Sequence, residues 1–191
     1  MRISEDRYSR DLRSIQLARR LIHHEVRTQS ICAWTGLSDE RIRNLCRSYR
    51  NGSVSPQRHR GPAPSRLTTF LRSPALRCEA SAIAGLASVL GIIPRRPLPN
   101  ARNALPGVEL GERLCHAFEL FQRMVPDGQL TMDQVILLTL TLAQGEELDV
   151  VRCPGCHAAL LIDPLSVGSR QCHVCKNGVT RSFPGLPPGI C

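Results

Sequence analysis

Apolar residues recur at helical spacing through much of this chain. Over 12–26, Leu12, Ile15, Ala18, Leu21, Ile22 and Val26 fall three or four apart, the period of an amphipathic helix. A second helical segment follows over 27–34, and Gly36 stops it. Ser38 then reads as an N-cap with Asp39 and Glu40 in the favoured acidic first turn, opening a helix to about residue 50. "NGSVSP" at 51–56 ends that helix, and a Pro-, Ser- and Arg-rich linker over 51–66 cannot hold another. Residues 75–90 read as a helix of small apolar residues, followed by the Pro-rich break "IPRRPLPN" at 93–100. Helices are predicted again at 108–125 and 131–147. Residues 135–143 are apolar on every side, which predicts burial, another subunit being one way to supply it.

The pattern predicts a mainly α protein, a helical bundle with an N-terminal helix-turn-helix and a small C-terminal four-cysteine zinc module. Its expected organisation is a helical region over 1–50, the linker 51–66, a partner-binding helical body over 67–150, the zinc module 151–178 and a flexible tail 179–191.

Charge changes this picture by its placement. Residues 1–72 hold 15 Arg against 6 Asp or Glu, so they carry the whole net charge of +9, and the remainder is neutral. A basic end on a neutral body points to a polyanion, nucleic acid before acidic membrane. The opening "MRISEDRYSRDLRS" has no apolar signal-peptide core, and the apolar runs at 82–93 and 135–143 are too short to cross a bilayer. The expectation is a cytoplasmic protein, no membrane contact and reduced thiols, in keeping with an odd count of nine cysteines.

The segment "TQSICAWTGLSDERIRNLCR" at 28–47 fits a DNA-reading helix-turn-helix by position. Cys32 supplies a small residue at the helix contact, and Gly36 tolerates a left-handed turn. Ile31, Leu37, Ile42 and Leu45 pack the two helices together. That leaves Arg41, Arg43, Asn44 and Arg47 facing outward, where Arg pairs with guanine and Asn with adenine. Arg50, Arg58 and Arg60 are placed to hold phosphates. The alternative is a plain helical hairpin with a solvated basic face, and Asp39 and Glu40 would face phosphates.

Cys153, Cys156, Cys172 and Cys175 form Cys-x2-Cys-x15-Cys-x2-Cys. Each pair makes a knuckle that aims two sulfurs at one point, and the intervening 15 residues hold a short hairpin that joins the knuckles. Four thiolates suit one structural Zn2+ per chain. "CPGCH" at 153–157 also matches a haem attachment pattern, but that leaves "CHVC" at 172–175 without a role. A redox pair, or iron on the same sulfurs, is a further alternative, and His157 and His173 read as neighbours of the ligands. Cys32 and Cys46 read as packing residues. The sequence shows no nucleophile–His–acid set or Gly-rich phosphate loop, so an enzyme with a small-molecule substrate is not expected.

The order of features resembles the FlhC family, the partner subunit of the bacterial flagellar master transcriptional activator. The residues that carry it are "SIQLARRLI" (14–22), "TGLSDERIRNL" (35–45), "NGSVSP" (51–56) and the four cysteines, so the resemblance spans about 14–178. It implies a helical subunit that joins an FlhD-like protein in a hetero-oligomer, binds promoter DNA of flagellar genes and recruits RNA polymerase. It also implies zinc on Cys153, Cys156, Cys172 and Cys175. The other reading is a zinc-stapled adaptor that meets DNA only through its partner.

Overall fold

The computed structural model describes residues 2–50, 65–166 and 170–177, with side chains from residue 7 onward except 49 and 50. The chain is mainly helical. Helices α1 (Arg2–His23), α2 (Thr28–Thr35) and α3 (Asp39–Arg50) precede the short α4 (Thr68–Leu71) and the long α5 (Pro74–Val89). Then come α6 (Ala101–Ala104), α7 (Val108–Met124) and α8 (Met132–Gln144). The strands β1 (Asp149–Arg152) and β2 (Ala159–Ile162) and the short α9 (His173–Lys176) complete the described order. The linker residues 51–64, with Arg58 and Arg60, and the tail 179–191, with Cys191, lie outside the described residues.

Local signals fix most of the boundaries. Ser73 caps α5 by accepting from the Leu76 N–H, with Pro74 at the first helical position where a missing N–H costs nothing. Thr131 and Gln134 close a reciprocal capping box on α8. α1 begins well before its apolar period, and Leu12, next to the exposed residues 7–10, is exposed rather than in the core.

The core joins both ends of the helical sequence. Leu17, Leu21, Ile31, Trp34 and Ile42 from the first three helices form one buried cluster with Ile83, Leu114, Phe121 and Leu138. α1 and α7 lie side by side in the same direction, since the pairs Arg13–Glu112 and Arg20–Glu119 advance by seven residues on both helices. Both pairs are bidentate, at 2.6–3.1 Å. Arg27 reaches the buried Asp133 on α8 at 2.5 Å.

The expected burial of 135–143 is observed, and the expected place of the hairpin is not. The apolar 135–143 stretch is buried by its own chain, packed by α5, α6 and α7, so no second subunit is needed to cover it. The hairpin does not lie between the two knuckles. β1 and β2 pair antiparallel, Asp149 with Ile162 and Arg152 with Ala159, so the first knuckle is itself the hairpin's loop.

Candidate metal centre and basic helix face

The four cysteines come together from three local structures. Cys153 follows β1, and its knuckle closes where the His157 N–H donates to the Cys153 carbonyl at 2.8 Å. His157 takes the left-handed conformation (φ 59°) that turns the chain into β2. Cys172 caps α9, its sulfur accepting from the Cys175 N–H at 3.4 Å, and the Cys172 N–H in turn reaches the Cys153 sulfur at 3.4 Å. The close approach of the knuckles needs Gly155, where a Cβ would stand 3.0 Å from the Cys175 sulfur.

The four sulfurs lie within 4.8 Å of one another, the one such group of metal-ligating side chains among the described residues. A tetrahedral zinc thiolate site, with bonds of about 2.3 Å, has sulfur–sulfur edges of about 3.8 Å. Cys156 and Cys172 are 3.6 Å apart, so the donor set already has the right size for a metal ion. Hydrogen bonds to its sulfur, the Cys172 N–H foremost, bring the Cys153 thiol down to about 6. Hydrogen bonding with the sulfurs of Cys172 and Cys156 pushes the Cys175 thiol up to about 12. His157 and His173 stand outside the sulfur group.

The module is docked on the helical body through β2. Strand alternation sends Leu161 into the main core, while Leu160 and Ile162 pack with Cys153 and Cys172. The Leu161 backbone is held on both sides by α5: its N–H donates to the Ser81 hydroxyl at 2.9 Å, and its carbonyl accepts from Arg77 Nε at 3.0 Å. Nothing in the sequence but their four-residue spacing, one helical turn, marks Arg77 and Ser81 as the residues that hold this strand. Burial pushes the Cys78 thiol on the same helix up, with Cys172 adding to the shift. Cys115 is fully buried, which pushes its thiol up to about 12 and leaves it unreactive.

The basic face stands on α3. α2 ends at Gly36 (φ 71°), and Ser38 accepts from the Arg41 N–H to start the next helix. Ile31, Leu37 and Ile42 are buried between the helices, with Cys32 and Leu45 packed beside them. Arg41, Arg43 and Arg47 are exposed, Asn44 stands beside them, and the Arg50 side chain lies outside the described residues. All three arginines have intrachain partners. Arg41 makes a bidentate pair with Asp11 of α1 at 2.9 and 3.0 Å, Arg43 pairs with Asp39 at 2.5 Å, and Arg47 donates to Asn44. Asp11 was not singled out in the sequence, because nothing local relates it to a residue thirty positions away.

No helix among the described residues is long and apolar enough to cross a membrane. No family model and no curated protein matches the chain.

Proposed function

We propose that this chain is a DNA-binding subunit of a bacterial transcription activator of the FlhC kind, stapled by one structural zinc ion. The observation that carries the reading is the face of α3. Ile42 is fully buried while Arg41, Arg43, Asn44 and Arg47 lie on the outward side, in the region that holds the whole net charge of +9. Such a face suits the major groove, and Arg50 keeps the phosphate-holding role its place in the sequence suggests. Zinc suits Cys153, Cys156, Cys172 and Cys175 because four thiolates complete a tetrahedron and leave no position for a substrate or an activated water. The metal therefore holds structure, and the chain does no catalysis. Following the resemblance, the protein works in the cytoplasm with an FlhD-like partner, on promoters of flagellar genes, and brings RNA polymerase to them.

The test is duplex binding at several salt concentrations by wild type and by a variant with Arg43→Ala and Arg47→Ala. The expected result is weaker binding and a salt dependence lowered by roughly one for each phosphate the variant no longer neutralises. A specific observation also favours the adaptor reading: the Asp11 and Asp39 pairs already occupy two of the arginines. Under that reading the variant binds with unchanged affinity and salt slope in the partner's presence.

A further inference from the structure

The outward pole of α3 is not where its two ion-paired arginines, Arg41 and Arg43, lie. At about 100° per residue, with Ile42 at the centre of the buried side, Glu40, Asn44 and Arg47 fall within about 40° of the opposite pole. Arg41 and Arg43 stand about 80° off it, one on each flank. The ion pairs agree with this division, since Arg41 reaches across to α1 and Arg43 back along its own helix. Arg47 and Asn44 meet each other along the pole.

Glu40 is the acid on that pole, and beyond its place in the acidic first turn of the helix its carboxylate is uncommitted there. Ser38 supplies the helix cap, Asp39 is committed to Arg43, and Asp11 to Arg41. Glu40 is exposed and has no hydrogen-bond or ion-pair partner among the described residues. If the face enters a groove, flank residues meet the phosphate walls and pole residues meet base edges. A carboxylate at the wall is repelled, but at the floor it can accept from an exocyclic amino group.

We propose that Glu40 is a specificity-determining residue that accepts a hydrogen bond from the amino group of a cytosine in the major groove. This rests on the DNA-binding reading above and extends it to a sequence preference. Asn44 and Arg47, on the same stripe, offer the pairings for adenine and guanine. At 1.5 Å per residue the stripe spans about 10 Å, roughly three base-pair steps of 3.4 Å.

The experiment is enrichment from a random duplex pool with the full zinc-loaded chain, as wild type, Glu40→Ala and Glu40→Gln, each checked for its helical signal. Wild type is expected to enrich a motif with cytosine at one position. Glu40→Ala lowers that preference about tenfold at that position alone, and Glu40→Gln, which can pair with adenine, moves it toward adenine. An acid that only steadies the first turn of the helix would leave base preference unmoved, and that result overturns the assignment. So does a Glu40→Ala protein that binds every duplex more tightly by the same factor. A wild type that enriches no motif overturns the DNA reading itself, and the assignment with it.

Discussion

Gly111 on α7 lies where α1 and α2 press closest. A Cβ there would stand 2.6 Å from Leu17 Cδ2 and 3.3 Å from Trp34 Cε3, and both neighbours are buried. Alanine gains about 1 kcal/mol over glycine in helix propensity. Overpacking a closed core costs about 1–3 kcal/mol, so the clash wins. Gly111→Ala should therefore lower stability by about 1 kcal/mol, seen as a lower urea midpoint with an unchanged slope. An unchanged or raised midpoint would show that Leu17 moves aside freely.

A pH effect belongs to the neighbouring contact between α1 and α7. Burial holds the His24 imidazole below its usual value, against the opposing pull of Glu119. Burial alone would raise the Glu119 carboxyl, but hydrogen bonds from His24 and Arg20 outweigh it and keep it below the usual range. In both cases the unfolded chain binds the proton more readily than the folded one. Stability is then fully present above about pH 6.5 and falls as pH drops through that value and on through the carboxylate range. Denaturant melts taken from neutral pH down into the carboxylate range should show that decline, and Glu119→Gln should flatten its lower part.

At the scale of elements, the contact to break is that between α5 and β2. Ser81→Ala removes the buried acceptor of the Leu161 N–H, and an orphaned buried donor costs about 1–3 kcal/mol. The expected outcome is a lower urea midpoint together with faster loss of metal from the module. A change in neither would mean that water replaces the hydroxyl. The long helices were legible because their periodicity is local: the expected 75–90, 108–125 and the stop at Gly36 agree with α5, α7 and α2 to within a residue or two, whereas 131–147 runs three residues past α8 and the helix read from Leu12 starts ten residues after α1. The four cysteines were legible for the same reason, as spacing alone predicts their meeting. The hairpin was not, because four-residue strands carry too short a period. "ALLI" at 159–162 is also apolar throughout, buried against α5 on one side and the knuckles on the other. Ion pairs such as Arg41 with Asp11 escape any local reading, since they depend on how helices distant in sequence are laid together.

On the scale of the whole molecule, the described residues form a large helical cluster, a small one of Ala101, Leu105 and Ala143, and another around the knuckles. The helical cluster is large and apolar, whereas Cys153, Leu160, Ile162 and Cys172 make a core too small to stand by itself. Structural zinc supplies about 10–16 kcal/mol in small modules, as much as the entire stability of an ordinary domain at about 5–15 kcal/mol. Chelation should thus release one zinc ion per chain, open 151–178 to protease, and leave most of the far-ultraviolet helical signal. Iron or no metal in the purified protein would sink the zinc assignment. Loss of the whole helical signal would show that the body depends on the metal as well.

The parallel alignment of α1 with α7 also governs the order in which the molecule can be made. Each pair between them spans 99 residues, so α1, α2 and α3 leave the ribosome long before the surface that covers them exists. Until α7 emerges, Leu17, Leu21 and Trp34 have no complete shelter. A fragment cut after α3 keeps that exposure permanently, so the basic face rests on a core that only the later helices complete.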